Sequence, residues 1–135
     1  MTTNKSVLQW LSDVQAMLKP DKVVWIDGSK QQLDELRAEA EASGEIIKLN
    51  QEKLPDCYLH RTAVNDVARV EHRTFICTTD KEDAGPTNNW MAPAEAYEKL
   101  GKLFDGAMKG RTMYIIPYSM GAVGSPFSKI GIEVT

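Results

Sequence analysis

The chain is poor in the residues that cross-link proteins or capture metals, with two cysteines and two histidines among 135 residues. Cys57 and Cys77 are separated by 19 intervening residues and form no CxxC pair, too sparse a pattern for a disulfide framework or a zinc cluster. They read as reduced thiols of a cytosolic protein. His60 and His72 lack a second histidine or cysteine at helical spacing, so neither a two-histidine metal site nor a Ser/His/Asp arrangement is indicated. No apolar run nears the roughly 20 residues that a membrane helix needs. Met1 to Ser6 lead directly into an amphipathic pattern containing Gln9 and Asp13, unlike the apolar core of a signal peptide, which predicts a chain that is not exported. The net charge of −3 is made of interspersed charges, so the basic footprint of a nucleic-acid binder is missing. Neither GxGxxG nor GxxxxGK[ST] is found.

What is present fits one globular domain, with 42% hydrophobic and 26% charged residues and enough length to bury a core. Val7, Leu11, Val14 and Leu18 recur at helical spacing, with Ser6 as candidate N-cap and Pro20 as the stop. Lys22 to Asp27 reads as a buried strand. Ser29 and Gln32 make a capping box for a helix whose apolar face carries Leu33, Leu36 and Ala40, closed by Ser43-Gly44. Glu45 to Leu49 reads as the next strand, and strand, helix and strand together predict a βαβ unit with two parallel strands. Short strands follow at Pro55 to Leu59 and Arg73 to Thr78, with Asn65 as cap of a helical turn through Val67 and Ala68. Residues 79–89 read as a polar loop. A helix starts near Pro93, with Ala96, Leu100 and Phe104 inward. Arg111 to Ile116 forms a strand restricted by Pro117, and Ile130 to Val134 forms the last one. The fold class expected is α/β, a mixed sheet flanked by helices.

Chemistry concentrates between Asn65 and Arg73, where Asp66, Arg69, Glu71, His72 and Arg73 crowd together. The planar fork of an arginine suits bidentate capture of a carboxylate or phosphate. On spacing alone, a surface ion pair with Asp66 or Glu71 is the commoner fate. Gly121 to Pro126 is glycine-rich, and such loops can cradle phosphate with backbone N–H groups. Its flanks read as strands and Lys129 is wrongly spaced for a P-loop, which favours a turn with unusual backbone angles. Gly28 likewise reads as serving a tight turn.

Two stretches carry more than spacing. Asp66-Val67-Ala68-Arg69-Val70-Glu71 with Arg73 to Thr78, and then Asn89 to Pro93 with Met108 to Gly131, resemble the amino-terminal part of GTP-dependent phosphoenolpyruvate carboxykinases. The resemblance runs from about Trp25 to the end, loosely at Ile26-Asp27-Gly28-Ser29, whereas Met1 to Asp21 is not distinctive. It implies a gluconeogenic lyase that converts oxaloacetate and GTP to phosphoenolpyruvate, GDP and carbon dioxide, with Mn2+ or Mg2+ as cofactor. It implies that Arg69 contacts the substrate and that Glu71 supports it. It also implies that the nucleotide loop and the lysine, histidine and aspartate ligands of manganese lie outside these residues. Residues 1–135 are then expected to be an amino-terminal substrate-binding domain, a truncated part of a cytoplasmic enzyme, whose partner is a carboxyl-terminal nucleotide-binding domain. Such a piece is expected to be inactive alone. The alternative is a stand-alone binding or interaction module derived from that domain.

Overall fold

Asn4, not Ser6, caps the first helix. Its side-chain oxygen accepts from the N–H groups of Ser6 and Val7 at 3.0 and 3.3 Å in this computed structural model, which describes residues 2–66 and 69–135. A cap two residues earlier satisfies the first free N–H groups, so α1 runs Lys5–Leu18. It closes at Lys19, in the left-handed region at φ 55° just before Pro20. The last carbonyls of α1 find donors far along the chain: Met17 O accepts from Gly106 N at 2.8 Å and Leu18 O from Met108 N at 3.0 Å.

The chain divides into two compact units, residues 1–25 with 70–135, and residues 26–69. The larger unit is built on a three-stranded sheet in the order β1-β6-β7, formed by β1 (Lys22–Trp25), β6 (Thr112–Met120) and β7 (Lys129–Val134). β1 runs parallel to β6, with Lys22 opposite Thr112 and Trp25 opposite Ile115. β7 returns antiparallel, with Ile115 opposite Val134 and Met120 opposite Lys129. On the face bearing Met113 and Ile115, α1 supplies Leu11 and Leu18, and these four form the core cluster. Met113 is fully buried. Val23, Trp25, Ile132 and Val134 pack against it from the same face of the sheet, as period-two alternation requires.

The expected βαβ unit does not form. The parallel partner of β1 is β6, and the segment after α2 (Lys30–Ala42) pairs elsewhere: β2 (Ile47–Lys48) lies antiparallel to β3 (Tyr58–Leu59) in the smaller unit. Local pattern identifies strands, but their partners are chosen by long-range burial, and β6 offers β1 the better apolar run. Nor is the apolar face of α2 buried, since Leu33 stays 46% exposed and no residue of the helix is buried.

β6 also runs on past Pro117. Tyr114 and Thr135 exchange both backbone bonds, so alternation puts Pro117 opposite Ile132 in a pair without hydrogen bonds. The N–H that proline lacks would point toward the β1 side, where pairing has already ended at Ile115. The remaining elements of the larger unit are α3 (Pro93–Phe104), β4 (Phe75–Ile76) parallel to β5 (Asn89–Trp90), and 3-10 turns at Glu71–Arg73 and Lys81–Ala84. The second turn breaks the expected polar loop and buries Ala84. On α3 the expected inner face is only partly covered: Ala96 is buried, but Leu100 and Phe104 remain about half exposed. The helical turn expected through Val67 and Ala68 falls outside the described residues. Among the described residues, no helix is long and apolar enough to cross a membrane.

Candidate functional site

The segment that follows Arg69 is held in shape by the side chain of Asn89. Val70 to Thr74 closes a tight 3-10 turn, with Arg73 N donating to Val70 O at 2.8 Å and Thr74 N to Glu71 O at 3.1 Å. Thr74 Oγ1 adds a bond to Val70 O. Asn89, at the start of β5, then donates through Nδ2 to Glu71 O at 2.8 Å and Thr74 O at 3.2 Å. Next to it, Trp90 Nε1 donates to Thr78 O at 3.0 Å. One amide and one indole therefore clamp both ends of the segment 71–78, each through a backbone carbonyl that accepts from a side chain. Asn89-Trp90 and Glu71 to Thr78 belong to the two separated stretches that carry the family resemblance in the sequence, and the fold brings them together.

Arg69 itself is exposed, and among the described residues no carboxylate forms an ion pair with it. The surface pairing with Asp66 or Glu71 that spacing favours is not made. The Glu71 side chain is likewise exposed and in no ion pair among the described residues, while its backbone carbonyl is held by Asn89. Arg73 turns to its neighbour, donating from Nε to His72 Nε2 at 3.1 Å. The charged cluster of the sequence thus separates into one exposed arginine followed by a braced turn.

The other candidates resolve into local structure. Asp27 accepts from Ser29 N at 2.7 Å, and this backbone bond, with the Ser29 hydroxyl second, holds the carboxyl of Asp27 below its ordinary range. Ser29 caps α2 by accepting from Gln32 N, the Ser29 half of the expected capping box, while Gln32 Oε1 accepts from Asp27 N at 2.8 Å and Ser29 N donates to Asp27. With a carboxylate at the helix N-terminus, that end is a poor site for phosphate. Gly121 and Gly124 adopt φ of 111° and 87°, the turn geometry expected between two strands. Ser125 N donates to Ala122 O, Ser128 Oγ to the same carbonyl and Phe127 N to the Ser125 hydroxyl, so the turn is stitched internally. His60 Nδ1 lies 2.6 Å from Glu45 O. Among the described residues no three of His, Cys, Asp and Glu come together as a metal site. A groove of about 420 Å³ lies along α3, but Glu95, Glu98, Lys99, Lys102 and Leu103 all come from that one helix. It is a furrow between side chains, already bridged by the Lys102–Glu98 ion pair at 2.6 Å.

Comparison with known proteins covers the whole of this framework. The family model described as phosphoenolpyruvate carboxykinase N-terminal domain matches residues 9–135. The match includes most of α1, which the sequence reading regarded as not distinctive. Over 134 residues, 99% of the chain, it is 54% identical to a phosphoenolpyruvate carboxykinase [GTP] of Anaeromyxobacter sp. (strain K). It is 46% identical over the same span to that of Corynebacterium glutamicum (strain R), and 43% to that of Corynebacterium efficiens. In each case the chain spans 22% of the relative's length. On a match of this extent, the chain belongs to the phosphoenolpyruvate carboxykinase N-terminal domain family.

Proposed function

We propose that residues 1–135 are the substrate-holding amino-terminal part of a cytoplasmic GTP-dependent phosphoenolpyruvate carboxykinase, with Arg69 as the residue that grips oxaloacetate or phosphoenolpyruvate. The observation that carries this reading is the similarity to enzymes of that name across 99% of the chain. Arg69 supports it chemically. A guanidinium that is exposed and in no ion pair among the described residues keeps its donor fork for a ligand carboxylate or phosphate. In this reading Glu71 is the supporting residue, and its backbone carbonyl is held by Asn89 at 2.8 Å. Holding the substrate in one orientation is a large part of catalysis when a bond must break at a defined angle.

The residues present do not fit the nucleotide or the metal ion. Among the described residues there is no metal-binding cluster, and the glycine-rich turn is stitched by its own serines. Divalent metal and GTP supply charge stabilisation and the phosphoryl group when bound. In this reading their ligands lie in the part of the enzyme outside these residues, and the chain alone does not turn over.

The test is a fusion of this chain to the remainder of the Anaeromyxobacter relative, replacing the 134 residues that match. The fusion is expected to decarboxylate oxaloacetate with GTP. Arg69→Ala should lower kcat/KM for oxaloacetate by roughly 10- to 100-fold, the equivalent of one charge-assisted bidentate contact. Arg69→Lys, which keeps the charge without the fork, should recover only part of the loss. Unchanged kinetics in Arg69→Ala would sink the assignment. Calorimetry on the chain alone should show weak or no phosphoenolpyruvate binding, and tight saturable binding would favour a stand-alone binding module instead.

A further inference from the structure

β7 leaves one side of the sheet unfinished. Alternation from the doubly bonded pair Tyr114–Thr135 makes Ile116–Glu133, Tyr118–Gly131 and Met120–Lys129 the bonded pairs with β6. Ile130, Ile132 and Val134 therefore point their N–H and C=O groups away from β6. Among the described residues nothing accepts from or donates to them. Free edges of this kind are usually blunted by proline, a bulge or an inward charge. β7 has no proline, its register with β6 is continuous, and its charges, Lys129 and Glu133, fall on the opposite face from the three apolar residues. The apolar stripe also outruns its cover: Ile132 and Val134 pack on the core, whereas Ile130 on the same face is 74% exposed.

The other face of the sheet has the same character. Val24, Tyr114 and Ile116 are only half-buried there, and Tyr118 is 43% exposed. β6 is thus apolar on both faces through Met113 to Ile116, the composition of a strand enclosed from two sides within a larger sheet.

We infer that the outer edge of β7 accepts a further β-strand, supplied by the part of the same carboxykinase polypeptide that lies outside residues 1–135. The inference rests on the proposed function, since it takes its occupant from the enzyme of which this chain would form part. The relatives have more than three quarters of their length outside the region matched here, ample chain to provide a strand and cover the second face. Backbone bonding at Ile130, Ile132 and Val134 sets the register, and Ile130 enters the extended core.

Hydrogen exchange tests this, read at single amides in the chain alone and in the active-enzyme fusion described above. The amides of Ile130, Ile132 and Val134 should slow by roughly tenfold or more in the fusion. The inward amides of Gly131 and Glu133, already bonded to β6, serve as the reference and should change less. Outward amides that exchange equally fast in both proteins, in a fusion that turns over oxaloacetate, overturn the strand addition and leave the function standing. Slowed amides in an inactive fusion do the reverse. If the fusion does not fold, the remainder of the relative is added to the chain in trans and the same amides are read: slowing supports the inference, and unchanged exchange at saturation overturns it. Slowing in the chain alone, rising with concentration alongside a dimer mass, also overturns it by assigning the edge to a second copy.

Discussion

Replacing Met113 with alanine tests where the stability of the larger unit resides. Met113 is fully buried among Leu11, Leu18 and Ile115, and among the described residues these four are the buried part of the central cluster. Removing a buried methionine side chain costs about 2–5 kcal/mol, through lost transfer energy and the cavity left behind. A core this small has few neighbours able to collapse into the space, so about 3 kcal/mol is the expected loss. With a urea m-value of about 1.5 kcal/mol/M, the midpoint should fall by about 2 M. Ile116, the next but two along β6 and on the opposite face, is half-buried, and Ile116→Ala should cost roughly half as much. Tryptophan fluorescence is the suitable assay because Trp10, Trp25 and Trp90 all belong to the larger unit, so independent unfolding of residues 26–69 does not enter the signal. An Ile116→Ala shift equal to or larger than that of Met113→Ala would refute the assignment of the core to the α1 face.

Two further outcomes follow from particular contacts. Lys19 lies 2.5 Å from Asp105, and its hydrogen bond, reinforced by its charge, holds the Asp105 carboxyl below the ordinary carboxylate range. A depressed folded-state pKa gives stabilisation that is present above the ordinary carboxylate range and lost as pH falls through the folded value. Lys19→Met should therefore raise the Asp105 pKa in a carboxyl NMR titration, and the stability difference from the parent should vanish in acid; an unmoved titration contradicts the pairing. At Gly131, an added Cβ would stand 2.8 Å from Tyr118 Cε1 and closer still to the end of the ring. Gly131→Ala should destabilise by about 1 kcal/mol through displacement of that ring, and should be near neutral when Tyr118→Ala is already present. Additive effects in this double-mutant cycle would show that ring and glycine do not touch.

The part of the chemistry that was legible in the sequence is local or inherited. Asp66 to Glu71 and the run from Met108 to Gly131 pointed to the carboxykinase family because a motif is written in consecutive residues. That Arg69 is exposed and in no ion pair among the described residues was not legible, since Asp66 and Glu71 stand at distances in sequence that suggest partners. The role of Asn89 was equally hidden: an asparagine at the end of an expected polar loop carries no periodic signal, and its two acceptors lie 18 and 15 residues earlier. The positive-φ turn glycines Gly28 and Gly124, by contrast, were readable because the backbone geometry they permit is a property of the residue itself.

The sequence by itself determined the helices, their stops and most strand positions, because propensity, apolar period and turn chemistry act over a few residues. α1 and α3 formed near their expected bounds, and the one error at α1, Ser6 for Asn4, is a choice between two good caps two residues apart. Only the tertiary structure decided that β1 pairs with β6 rather than β2, that Pro117 sits within a strand, and that β7 presents an open edge. Those outcomes depend on which apolar faces bury each other across many tens of residues, and strand partners compete in space, where distance along the chain carries little weight.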